Sequence, residues 1–312
     1  MELARTYGRW RRVACTVSIA LMSLFLLGTG TSQALMTVVL VSNSGNNTIT
    51  EYDLSTGNYL GVFATTTAYA YSLTYDNNGF VYAGLRDKSI HKFNLGGVDL
   101  GTIATMTGTD DMIAYHNGFL YESGYDNGVV RKLGLDGTDF GVFATLDSGG
   151  LQGMAWDSAG NLLVNDYNGA SYGGTIRKVA PDGTVLGQFS TLGGYGYAPL
   201  GITIDASGNV YASDWAQQNI RKFDSSGADV TTFAVGKGVY AVVMGTNNTL
   251  LATSSGDNAI LKYGTDGSYL GIFTSTGISG ANSIIMVPEP GINALLTTGV
   301  LALSVWRRTR RK

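Results

Sequence analysis

Cysteine is all but missing from this chain. Its one instance, Cys15, lies within the first 34 residues, so the body of the protein rests on no disulfide and holds no thiol nucleophile. Histidine is nearly as scarce, with only His91 and His116 among 312 residues. A paired-histidine hydrolase or lyase site is therefore improbable, because the pattern places His91 on an outward-facing strand and His116 at the end of an inner one. No G-x-S-x-G run marks a serine nucleophile. The Gly-Tyr-Gly-Tyr and Gly-Gly runs have no helix behind them and so form no phosphate cradle. Positive charge is thin where it counts. Nine of the 20 Lys+Arg lie in residues 1–34 and 288–312, as do only Glu2 and Glu289 of the 23 acidic residues, which leaves the middle with 11 basic against 21 acidic residues, near -10. That balance excludes nucleic acid as a partner.

What is abundant is turn chemistry and aromatic surface: 44 Gly, close to twice the usual share, and 18 Tyr against 11 Phe. Leu200 to Val235 shows how they are used. The runs LGITID, NVYASD, NIRKF and VTTFAV alternate apolar and polar at period 2. Asp205-Ala-Ser-Gly208 and Asp224-Ser-Ser-Gly227 separate two of the pairs, with Asp opening each turn and Gly where positive φ is needed. This is a four-stranded antiparallel meander, and one such sheet cannot hide both its apolar faces.

The chain repeats it. The last strand recurs as Gly61-Val-Phe-Ala-Thr65, Gly101-Thr-Ile-Ala-Thr105, Gly141-Val-Phe-Ala-Thr145, Gly187-Gln-Phe-Ser-Thr191, Thr231-Thr-Phe-Ala-Val235 and Gly271-Ile-Phe-Thr-Ser275. The third recurs as Thr48-Ile-Thr-Glu-Tyr52, Ser89-Ile-His-Lys-Phe93, Val129-Val-Arg-Lys-Leu133, Thr175-Ile-Arg-Lys-Val179, Asn219-Ile-Arg-Lys-Phe223 and Ala259-Ile-Leu-Lys-Tyr263. Two markers in constant phase, about 40–45 residues apart, predict β-propeller blades. The basic pairs of the third strand read as solvated outer side chains that blunt strand edges. The first repeat lacks its inner strand, and Ser283–Val287 is a strand with no followers. Docking the orphan into the first repeat closes a ring of six. The expected fold is thus all-β, a six-bladed propeller over residues 35–287. The inner strands are Tyr71–Asp76, Met112–His116, Gly153–Asp157, Gly201–Asp205, Tyr240–Gly245 and Ser283–Val287. Blade four carries an inserted loop at Asn168 to Gly174.

These units resemble NHL-type propeller repeats, most closely in GITIDASGNVYASDWAQQNIRKFD and next in GMAWDSAGNLLVNDYNGA…TIRKVAPDG. The others are degenerate, with Gly84, Gly124 and Ser254 near the place that Asp214 takes. The resemblance implies a fold and leaves the activity open.

Two terminal stretches flank the repeats. Residues 1–34 read as a signal peptide, with Arg5, Arg9, Arg11 and Arg12, an apolar run from Val13 to Leu27, and Ser32-Gln33-Ala34 for cleavage. An uncleaved anchor is the alternative. Residues 288–312 follow Val287 with Pro288-Glu289-Pro290, an apolar run from Ile292 to Trp306, then Arg307, Arg308, Arg310, Arg311 and Lys312. This tail resembles a PEP-CTERM sorting domain. The resemblance implies an exosortase-type processing enzyme as partner, a hydrophobic helix that engages the membrane, and delivery to the surface or matrix of a Gram-negative-type cell. About 15 residues at 1.5 Å give roughly 22 Å of helix, short of the ~30 Å hydrocarbon core. The basic end then stays cytoplasmic.

The site candidates lie on the face where loops enter the inner strands. Threading the repeat puts Tyr69, Tyr71, Tyr125, Tyr167, Tyr195, Tyr197, Trp215 and Tyr240 there, interleaved with Asp110, Asp111, Asp166 and Asp214. Flat aromatic rings beside hydrogen-bonding carboxylates suit a sugar surface. A divalent cation held by Asp110, Asp111, Asp166, Asp214, Asn165, Asn43 and Asn282 is the weaker reading, since Asp166 and Asp214 suit backbone capping. The sequence thus predicts a non-catalytic surface propeller without cofactor that binds a glycan, plausibly exopolysaccharide, or a protein. A metal-dependent lactonase-like or lyase-like enzyme is the alternative.

Overall fold

The computed structural model describes residues 36–108, 110–146, 149–167, 173–193 and 198–288. The leader and the tail beyond Pro288 lie outside them. Twenty-four strands form six four-stranded sheets. Blade 1 holds β1 (Met36–Asn43), β2 (Thr48–Asp53) and β3 (Tyr59–Thr65). Blade 2 holds β4 (Ala70–Tyr75), β5 (Phe80–Leu85), β6 (Ser89–Asn94) and β7 (Asp99–Thr105). Blade 3 holds β8 (Met112–His116), β9 (Phe119–Ser123), β10 (Val129–Gly134) and β11 (Asp139–Thr145). Blade 4 holds β12 (Leu151–Trp156), β13 (Leu162–Asp166), β14 (Thr175–Val179) and β15 (Val185–Thr191). Blade 5 holds β16 (Pro199–Ile204), β17 (Val210–Asp214), β18 (Asn219–Phe223) and β19 (Asp229–Ala234). Blade 6 holds β20 (Val242–Met244), β21 (Thr249–Ser254), β22 (Ala259–Gly264) and β23 (Tyr269–Thr274). The last strand, β24 (Ala281–Pro288), returns to blade 1, whose order is β24-β1-β2-β3.

The closure predicted from the orphan strand is therefore present. Val39 pairs with Met286, Leu40 with Ile285 and Val41 with Ile284, antiparallel. The strand runs one residue past the predicted end, because Pro288 pairs with Met36 as the last rung, where a missing N–H is tolerated.

Burial follows strand position. The second strands β13, β17 and β21 are buried along their whole length, and the fourth strands alternate exposed with covered residues. Among the described residues the apolar side chains gather into six cores, and each core draws on two consecutive blades. Leu163, Ile176 and Leu192 of blade 4, for example, pack against Ile202, Val210 and Phe223 of blade 5. A blade thus buries both faces only between neighbours, which is why the meander had to repeat. Hydrogen bonds stitch the same seams. Ser72 Oγ accepts from Ile113 N at 3.0 Å, Ser283 Oγ accepts from Leu73 N at 3.0 Å, and Asn165 Nδ2 donates to Gly201 O at 3.0 Å.

Two expectations need correction. The third-strand basic residues are neither solvated nor on an edge, since the fourth strand covers them. The side chains of Arg131 and Arg221 are only 15% and 14% exposed and pair with Asp139 and Asp229. Lys92 and Lys132 lie 4.2 and 3.7 Å from the ring centres of Phe80 and Phe119. His91 is likewise covered, with Nδ1 2.8 Å from Asp99 and its ring stacked on Phe93. The second concerns alignment. Gly84 pairs with Ile90 as Ser213 pairs with Ile220, so the Asp214 position in blade 2 is held by Leu85.

Candidate functional site

The six inner strands surround an axial channel of about 250 Å³, lined at mid-depth by Leu73, Ile113, Met154, Ile202, Val242 and Ile284. The backbones crowd together around it. A Cβ on Gly201 would sit 2.7 Å from Ala241 Cα, so only glycine fits. His116 lies at the far end, stacked on Trp156 at 4.5 Å, on the face away from the mouth as expected.

Beneath the mouth, polar side chains fasten the loops that enter blades 1, 3, 5 and 6. Asp214 Oδ1 accepts from Ala198 N, Ala216 N and Gln217 N at 3.0, 3.0 and 3.1 Å. Degenerate blades find other means to the same end. Asn43 accepts from Ser279 N, Asp257 from Lys237 N, and Asp111 from Gly108 N and Tyr125 N. This corrects the reading of Asp166 and Asp214 as ligand-facing carboxylates. Both are fully buried, as is Asp111, and Asp214 does the capping work. Burial raises the Asp214 pKa despite its three amide donors, and its Oδ2 has no hydrogen-bond partner. Asp166 Oδ2 stands 3.9 Å from Arg177. Among the described residues no three His, Cys, Asp or Glu side chains gather as metal ligands would.

The aromatic residues divide into two groups. Tyr125 and Tyr167, from blades 3 and 4, lie 6.2 Å apart. Trp215 of blade 5 lies 6.3 Å from Tyr240 of blade 6 and is 46% exposed. Their planes are tilted by 50° to one another. Tyr69 and Tyr71 complete the set from blade 2, with Tyr71 almost buried. Burial, then the nearby Asp110, Tyr240 and Tyr69, raises the Tyr71 pKa. Tyr195 and Tyr197 lie outside the described residues.

Two members, Arg86 and Gln152, were not foreseen. Arg86 follows β5 as Trp215 follows β17, and the same loop position holds Ser44, Tyr125, Tyr167 and Ser255 in the other blades. Reading that column down the repeats would have found it. Arg86 Nη1 donates to Tyr69 Oη at 2.6 Å and stands 2.9 Å from Asp110 Oδ1. Asp110, expected among the aromatic residues of this face, is thus the carboxylate that Arg86 meets there. Gln152, fully buried, donates from Nε2 to Asp110 O at 3.4 Å.

This architecture is that of a six-bladed β-propeller. No family model and no curated protein matches the chain. Solved structures do. A chain of the nidogen/laminin complex superposes with a TM-score of 0.68 at 20% identity, covering 80% of this chain and 98% of that one. The WD40 β-propeller domain of Doa1 gives 0.57 at 16% identity, covering 84% and 92%. Streptogramin B lyase gives 0.53 at 16% identity, covering 72% and 70%. At such identities the likeness establishes the fold and no activity.

Proposed function

We propose that this chain is an exported, non-catalytic binding propeller whose channel-mouth face takes a glycan. The observation that carries the reading is the Trp215–Tyr240 pair, a large exposed aromatic on a loop beside a second ring, with a further pair, Tyr125 and Tyr167, on the loops of blades 3 and 4. Rigid aromatic faces flanked by hydroxyls and a carboxylate match the apolar faces and equatorial hydroxyls of pyranose rings. The leader and the Pro288-Glu289-Pro290 tail support export and sorting by an exosortase-type enzyme to the cell surface or exopolysaccharide matrix. A propeller from the nidogen/laminin complex is part of a protein assembly, which keeps a surface protein as the second class of ligand.

A glycan array with the purified protein tests the reading. Saccharide binding that quenches tryptophan fluorescence and falls at least about tenfold in Trp215→Ala is the expected result. An array without any hit would overturn it. A stoichiometric divalent ion in the purified protein would instead favour the lactonase-like or lyase-like enzyme. Removing residues 289–312 should release the protein to the medium with its melting temperature unchanged, and retention in the membrane fraction would refute the sorting role.

A further inference from the structure

The mouth already holds a cation, and it is the protein's own. Arg86 reaches from the loop between β5 and β6 to the loop that enters blade 3. Its guanidinium carbon lies 5.7 Å from the Tyr69 ring centre, its Nη1 donates to the Tyr69 hydroxyl, and Asp110 Oδ1 is 2.9 Å away. Burial works against the charge, but the Tyr69 hydroxyl and the Asp110 carboxylate outweigh it and hold the Arg86 pKa above its ordinary value. Tyr71 and Tyr240 both feel the same two charges, and Tyr240 in turn lies 6.3 Å from Trp215. Aromatic faces around a carboxylate are what a cation seeks.

Arg86 fits the seat imperfectly. The ion pair is close, yet no N–H is aligned on Asp110 Oδ1, and that buried oxygen completes no hydrogen bond. Beside it, the fully buried Gln152 spends Nε2 on the Asp110 carbonyl and leaves Oε1 without a hydrogen-bond partner. Two acceptors in one place are thus unsatisfied, which native interiors seldom permit. The deficit is of donors. An ammonium offers three donors that rotate about a compact charge, where the planar guanidinium aims its Nη1 at Tyr69 and aligns no N–H on Asp110. The near -10 balance of the middle of the chain favours such a ligand at long range.

We propose that the mouth selects a saccharide carrying a free ammonium group, an amino sugar. Its ring lies on Trp215 and Tyr240, and its ammonium displaces Arg86 from Asp110. This deepens the glycan reading and rests on it. Arg86 then acts as a built-in competitor that weak or neutral ligands do not dislodge.

The test is calorimetry near pH 6 with four probes: a glucosamine oligomer, the N-acetylglucosamine oligomer of equal length, a uronic-acid oligomer and an oligolysine peptide. Each is run against the unmodified protein, Arg86→Ala and Asp110→Asn, with thermal melts to establish that the variants fold. The expected result is a preference of about tenfold for the free amine over its acetylated form. Arg86→Ala should tighten the glucosamine oligomer severalfold, and Asp110→Asn should erase the preference for the free amine over its acetylated form. Equal binding of both oligomers, or uronate binding that depends on Arg86, would sink the cation seat and spare the glycan reading. Binding of oligolysine alone would overturn the saccharide class, and binding of none of the four would overturn both.

Discussion

Single residues show how the repeat interlocks. Gly183, in the turn before β15, has φ of 90°, and a Cβ there would lie 2.1 Å from the carbonyl oxygen of Phe143 in the preceding blade. Gly57, Gly97, Gly137 and Gly227 meet Phe273, Phe63, Ile103 and Phe189 in the same way, at 1.9 to 2.1 Å. Gly141 also has positive φ, 84°, but its Cβ would meet nothing within 4 Å. Gly141→Ala should therefore cost about 1 kcal/mol of backbone strain. Gly183→Ala adds a collision with backbone and should cost about 3 kcal/mol or more. Urea unfolding of the two variants decides, and equal losses would show that the contact is immaterial. The need for glycine was legible from the turn pattern, in which Asp or a small residue precedes it. Its packing against the phenylalanine of the previous repeat was not, because the partners lie about one repeat apart and no local pattern joins them. Asp214 makes a second test. Asp214→Ala strands three amide donors and should cost about 2–4 kcal/mol, whereas Asp214→Asn keeps an acceptor and should cost under about 1.

At the scale of strands and turns, the aspartates that open the turns dominate the response to acid. Hydrogen bonds from Ser55 and Thr56 hold Asp53 down at about 2, and the Asp136, Asp182, Asp224 and Asp266 carboxyls are lowered by their own turn amides and hydroxyls. Asp157 and Asp205 are lowered too, because hydrogen bonds from Asn161 and Asn209 overcome the effect of burial. A depressed folded-state pKa gives stability that is present above the unfolded value near 4 and lost as pH falls through the folded one. Burial raises Glu122 and Asp214, and these two run the other way. Asp87, against the effect of burial, and Asp257 are lowered by their hydrogen bonds as well, so nine lowered carboxyls outnumber two and the melting temperature should drop between pH 5 and pH 2.5. Circular dichroism melts check this, and a flat or rising midpoint would refute it. Strand periodicity gave the 24 elements, the blade order and the channel-mouth loops almost completely. It misjudged the third strand because alternation reports which side a residue faces, and says nothing about the fourth strand that covers the basic stems.

For the whole molecule, the ring depends on the pairing of β24 with β1. Those two strands join the last described residues to the first, and Ser283 Oγ carries the seam on to Leu73 of blade 2. A chain ending at Gly280 leaves Val39, Val41 and Leu40 without their partners and should lose cooperative unfolding, while one ending at Pro288 should melt as the full chain does. Calorimetry separates the two, and a cooperative transition in the shorter chain would contradict the closure. The mouth was half legible. Its aromatic residues surfaced from the threading, whereas Arg86 and Asp110 meet only because loops of blades 2 and 3 adjoin. The late strand also acts as a check on synthesis. The first three strands emerge from the ribosome early and must wait for the final segment before their sheet is whole. Only a polypeptide that extends through β24 can seal the circle, so any product cut short of it keeps a raw edge along β1.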